Sequence, residues 1–250
     1  MAAAITERDK KLFRLIAVSG VCTIQQAAKI FEKKGGYHYK RIAFLVKEKY
    51  LIKRGKYLEL TTLSAEMIGC AKYRFADDYV RDTHVEVANI ALSGLEIVSS
   101  REIHNKHGLN RKTYLKGALV LNGIEYVFYL LPNKPTKQKI GFIRNELRTL
   151  SATGKYKHSI VFAPTKEAMN LFLYDDYKQD QLFLLPYPIG LEYLKGYFSA
   201  EIQKLIHSLI PPEAIESKYP FANYVTKFDF YSDLVLNDIA KKSNLELVDV

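Results

Sequence analysis

The chain has 250 residues, 48% of them hydrophobic and 26% charged, and carries a formal net charge of +10 with a pI near 9.3. That length suits one large domain or two modest ones, and the composition is that of a globular protein rather than a disordered one. No apolar run approaches the ~18 residues that a membrane helix needs, so no membrane association is expected.

The N-terminal MAAAITERDKKL is cut by Glu7, Arg8 and Asp9 and does not read as a leader. Cys22 and Cys70 lack CxxC spacing and read as small buried hydrophobes of a cytoplasmic protein. Charge is unevenly spread: residues 1–70 carry a net +8, 71–100 a net −2, 101–158 a net +9 and 159–250 a net −5. Such blocks mark surfaces for a polyanion, or pairs of blocks that neutralise each other within the fold.

Thr6 followed by Glu7, Arg8 and Asp9 reads as a helix N-cap with acids in the first turn. Leu12, Phe13, Leu15, Ile16 and Ala17 keep helical spacing up to the stop at Ser19-Gly20. A second helix starts at Thr23, with Ile24, Ala27, Ala28, Ile30 and Phe31 on its apolar face, and Gly35-Gly36 ends it. A third begins near Tyr37. Its spacing puts Ile42, Leu45, Val46 and Tyr50 inward, and Tyr37, Lys40, Arg41, Phe44 and Lys47 on the opposite, exposed side. Cations interleaved with rings suit a DNA major groove, where they meet phosphates, guanine edges and thymine methyls.

Two short strands follow, Leu51-Ile52 and Tyr57 to Leu60, joined by a turn that carries Lys53, Arg54 and Lys56. Three helices and a basic hairpin make a winged helix-turn-helix whose wing would reach the flanking backbone or minor groove of duplex DNA. Thr62 to Cys70 reads as a closing helix, and Ala76-Asp77-Asp78 as a domain boundary.

Beyond it, the run from Thr83 to Leu92 has helical spacing and leads to a strand at 95–98. Leu115 to Leu121 and Ile124 to Leu131 form a hairpin about Asn122-Gly123, a type I′ turn signal. A helix over 140–150, a strand over 157–163, a helix over 165–174 and a strand over 182–186 complete an α/β region. Phe198 to Leu209 reads as helical. The expected fold class is α+β, with residues 1–75 as the winged helix, 76–190 as a mixed-sheet domain and 191–250 as a mainly helical extension.

This order, with a helix bearing "THVEV" at 83–87 and then a hairpin and helix, resembles the replication-relaxation proteins of plasmids and mobile elements. The resemblance runs over residues 1–165 and rests on element order more than on single letters. It implies a winged helix fused to a restriction-endonuclease-like domain. Metal-binding acids of such a domain would fall at Gly117, Tyr129 and Leu131, none of which is acidic, so a nuclease-shaped domain without its metal site is implied. Arg111, Lys112, Lys116, Lys134, Lys137 and Lys139 would then offer a second DNA contact, and Arg144 and Arg148 share one helix face. A surface for a protein partner explains the same charges equally well.

No P-loop, GxGxxG or GxSxG is present, and the two histidines of HNKHG at 104–108 lack a third ligand and read as a polar loop. The expectation is therefore a non-enzymatic binder of double-stranded DNA, without cofactor or metal. By resemblance it would be an accessory factor in plasmid or mobile-element replication or conjugative transfer, working with a relaxase or replication initiator, as a homodimer. A winged-helix transcriptional regulator is a second reading. A nuclease with a metal site relocated to Glu102, Glu125 and Glu146 is a third.

Overall fold

The computed structural model describes residues 4–31, 36–108, 114–152, 154, 156, 158–173 and 182–197. The fold is mixed α+β, and the chain divides into two units, Met1–Ile103 and His104–Val250.

The first unit starts with α1 (Glu7–Ser19). Thr6 caps it through a reciprocal box in which the Asp9 amide donates to Thr6 Oγ1 at 3.3 Å and the Thr6 amide donates to Asp9 Oδ2 at 2.6 Å. Gly20 ends it at φ 84°, its N–H returning to the Ile16 carbonyl. A two-residue strand, β1 (Cys22–Thr23), leads into α2 (Ile24–Phe31), where Thr23 and Gln26 exchange side-chain-to-backbone hydrogen bonds of 3.1 and 2.8 Å. Then come α3 (Tyr37–Lys47), β2 (Leu51–Arg54), β3 (Tyr57–Leu60), α4 (Thr62–Met67), α5 (Asp78–Leu92) and β4 (Glu96–Ser99). The antiparallel sheet has the order β1-β3-β2, with Cys22 opposite Leu58 and Leu51 opposite Leu60.

Leu12, Phe13, Ile16, Ala27, Phe31, Ile42, Leu45 and Leu58 form one core between these helices and the sheet. Cys22 lies within it as an unpaired thiol, and burial pushes its pKa up. The expected boundary at residues 75/76 falls inside this unit. The reason is α5, which starts at Asp78 with Asp77 as its cap, five residues earlier than the apolar spacing implied. Its Val87, Ala88 and Ile90 are buried, Gln26 Nε2 donates to the Val85 carbonyl at 2.9 Å and to Asn89 Oδ1 at 2.7 Å, and Arg81 pairs with buried Glu59 at 2.6 Å.

Helix α6 (Ser100–His107) carries the chain across the division, so HNKHG at 104–108 is largely helical rather than a loop. The second unit holds β5 (Gly117–Leu121), β6 (Ile124–Leu130), α7 (Lys137–Ala152), β7 (Ser159–Ala163), α8 (Lys166–Leu173), β8 (Leu182–Pro186) and α9 (Ile189–Tyr197). Its strands lie in the order β5-β6-β7-β8. The first pair is antiparallel about Asn122 (φ 50°) and Gly123 (φ 78°), and the other pairs are parallel. Parallel neighbours need crossovers, which α7 and α8 supply. Strands buried on both faces read as unbroken apolar runs, as SIVFA and LFLLP do.

No helix among the described residues is long and apolar enough to cross a membrane. The expected helix over 198–209, and residues 198–250 generally, lie outside the described residues, as do Arg111 and Lys112.

Gly20 gives a test of how the first unit closes. A Cβ there would stand 2.7 Å from the Phe75 ring and 2.8 Å from the Tyr73 ring, on a backbone at φ +84°. Gly20→Ala is expected to cost about 2–4 kcal/mol from left-handed strain plus overpacking, read as a lowered midpoint in denaturant titration. A change below about 0.5 kcal/mol would contradict this packing.

Candidate nucleic-acid interface

The third helix carries the residues on which the sequence places DNA contact, and the structure divides them. Lys40 and Lys47 are exposed, with no ion pair among the described residues. Arg41 is buried. Its Nε donates to Asp9 Oδ1 at 2.9 Å, and its Nη2 donates to Asp9 Oδ2 at 2.5 Å and to the Ala4 carbonyl at 2.9 Å. Asp9 is fully buried, so this is a two-pronged ion pair between α1 and α3. Arg41 is therefore a structural residue, and its place among exposed groove-contacting residues is corrected.

Tyr37 and Phe44 are half-buried rather than exposed. Tyr37 meets Phe31 edge-on at 6.2 Å between centroids, and the Arg41 guanidinium lies over the Phe44 ring at 4.5 Å. The exposed stripe of α3 is rotated from the expected one and consists of Tyr39, Lys40, Ala43 and Lys47. Tyr39 is 60% exposed, with the His38 ring against it at 4.1 Å. Tyr39 and Ala43 escaped the sequence analysis. The i, i+4, i+8 spacing of Tyr39, Ala43 and Lys47 was the available signal.

Burial alone would raise the Asp9 carboxyl pKa. Hydrogen bonds from Arg41 and Thr6 outweigh it and hold Asp9 below the ordinary value. The Arg41 guanidinium is pushed up in turn, chiefly by the same hydrogen bond to Asp9.

The hairpin between β2 and β3 turns through Gly55 (φ 58°) and presents Lys53, Arg54 and Lys56, all exposed. Two of them already have carboxylate partners. Arg54 lies 3.7 Å from Glu59, and Lys56 lies 3.0 Å from Asp82, which also accepts from the Tyr57 hydroxyl at 2.8 Å. Lys53 makes no ion pair among the described residues. Phosphate contact by Lys56 means exchanging one solvent-exposed anion for another, a small penalty where neither charge is buried, and Arg54 can leave the buried Glu59 because Arg81 still pairs with that carboxylate at 2.6 Å.

In the second unit, Lys134 and Lys137 are exposed, while Lys139 is half-buried with its ammonium 5.2 Å from the Tyr114 ring. Lys116 is half-buried. Burial, with a smaller contribution from the nearby Lys139 charge, lowers its pKa to about 8, which leaves it a weaker surface cation than Lys134 or Lys137. Arg144 is also structural, donating to the Leu171 and Phe172 carbonyls at the end of α8.

The acids of the relocated-metal reading go separate ways. Glu125 accepts from the Tyr156 hydroxyl at 3.0 Å and pairs with Lys106, and Glu146 accepts from the Tyr114 amide at 3.1 Å. Among the described residues, no group of three His, Cys, Asp or Glu side chains is placed to share a metal ion.

Arg41→Ala leaves Asp9 buried and unpaired, and should destabilise the first unit by about 3–5 kcal/mol. Because the Asp9 pKa is depressed on folding, the stabilisation is full above the unfolded carboxylate value and disappears as pH falls through the lower folded one. Wild-type stability should thus fall below about pH 4, and Asp9→Asn should flatten that part of the curve. Chemical denaturation from pH 2 to 7 checks both, and an unaltered acid limb in Asp9→Asn would refute the assignment.

No family model, curated protein or solved structure matches the chain.

Proposed function

We propose that the first unit is a winged helix-turn-helix that binds duplex DNA, with α3 entering the major groove and the β2–β3 hairpin lying on the flanking backbone. The observation that carries this is the order α1-β1-α2-α3-β2-β3 around a β1-β3-β2 sheet, with exposed cations on both the third helix and the hairpin. Lys40 and Lys47 would meet phosphates or guanine edges. Ala43, between them, lets the helix approach closely, and Tyr39 supplies a ring at the groove edge.

The second unit fits a restriction-endonuclease-like fold in its antiparallel β5–β6 pair followed by α7 and parallel β7. Gly117, Tyr129 and Leu131, at the positions where such enzymes hold acids, are buried and carry no carboxylate. We take the protein to be a non-enzymatic accessory factor in plasmid or mobile-element replication or transfer, acting as a dimer on paired half-sites beside a relaxase or initiator. The identity of the bound site would separate this role from transcriptional control.

The test is binding of fluorescent duplex fragments tiled across the protein's own genetic element, at two salt concentrations. One fragment should bind far more tightly than the rest. Lys40→Ala/Lys47→Ala should weaken it by about tenfold or more at ~0.15 M salt while leaving the thermal midpoint unchanged. Equal, weak, salt-abolished binding to every fragment would overturn the proposal.

A further inference from the structure

A second face of the first unit is built differently from the α3 and hairpin surface. A groove of about 810 Å³ runs between α1, the end of α2, the end of α5 and β4. Its floor is aliphatic, formed by Leu15, Val18, Ile30, Leu92 and Ile97, and four of these five side chains are only half-buried. Its rim carries Arg8, Lys11, Arg14 and Lys29, all exposed, and among the described residues no acidic side chain lines it. No residue of α3 or of the β2–β3 hairpin contributes to it.

Three cations at 8, 11 and 14 recur at i, i+3, i+6 and so stand on one side of α1, above Leu15 and Val18. This arrangement favours a peptide over a nucleic acid. A single-strand site needs rings on which bases stack, and a duplex site needs polar groups that read base edges; among the described residues the lining holds no aromatic side chain and no uncharged polar one. Leu, Val and Ile beneath a cationic rim instead complement a segment with one apolar and one acidic face, laid into a groove.

We propose that this groove docks an acidic amphipathic segment of a partner protein, with its apolar side chains on the Leu15–Ile97 floor and its carboxylates against Arg8, Lys11, Arg14 and Lys29. The surface is independent of the DNA-binding one, so a partner can be held while DNA is bound.

The test uses the full chain and a labelled helical peptide of about sixteen residues, leucine on one face and glutamate on the other, followed by fluorescence anisotropy. Duplex DNA is titrated in parallel. Wild type should bind the peptide. Lys11→Glu/Arg14→Glu should weaken that binding at least about tenfold while leaving the thermal midpoint and DNA affinity unchanged, and a peptide with serine in place of leucine should fail to bind. Peptide binding that survives the charge reversal, or equal binding of the serine peptide, would overturn the proposal. So would absence of peptide binding together with a loss of DNA affinity, or of self-association, in the reversed variant, which would give the groove to nucleic acid or to a second copy.

Discussion

The buried ion pair between Arg41 and Asp9 sets the orientation of the third helix, and the rest of the first unit's surface follows from it. Asp9 has two tasks: it closes the capping box with Thr6 at the start of α1 and holds both prongs of the Arg41 guanidinium. A carboxylate with no exposure is tolerable only when its lone pairs are matched in this way. Drawing Arg41 inward turns α3 about its axis. Phe44 and Tyr37 are carried partly under cover, and Tyr39, Lys40, Ala43 and Lys47 turn outward.

The same economy recurs through the molecule, because many of its cations serve the fold. Arg81 neutralises buried Glu59 and ties β3 to α5, Arg101 donates to the Lys72 carbonyl, and Arg144 satisfies carbonyls at the end of α8. Net charge of +10 therefore overstates the positive surface. Most of the described cations that remain exposed in the first unit gather on two faces of different chemistry. On α3 and the hairpin, cations stand with a ring and a small residue; along α1 and α2, they stand over aliphatic side chains. The first combination suits a groove of bases and phosphates, and the second suits a folded peptide.

Local signals made much of the architecture legible in the sequence. Thr6, Gly20, Thr23 and Tyr37 marked helix limits to within a residue, and Asn122-Gly123 fixed its hairpin. Missed elements had weak local signals. The two-residue β1 exists only through its pairing with β3, and α6 is so polar that its helical spacing was hidden. The site was less legible than the fold. Periodicity says which face of a helix is apolar, yet it cannot announce that one cation on the other face has a buried carboxylate partner 32 residues away. The half-burial of Lys116 was hidden for the same reason, since it comes from tertiary packing that no local spacing encodes.

The central claim, that α3 meets DNA through Lys40 and Lys47 while Arg41 only holds the helix in place, is tested most directly by the salt dependence of binding to one tight fragment. The slope of log affinity against log salt counts phosphates neutralised, at roughly 0.9 per contact. Lys40→Ala and Lys47→Ala should each reduce the slope by about one, and Asp9→Asn/Arg41→Gln, which replaces the ion pair by a neutral one, should leave it unchanged. A slope that falls with the neutral pair, or that ignores both lysines, would contradict the account.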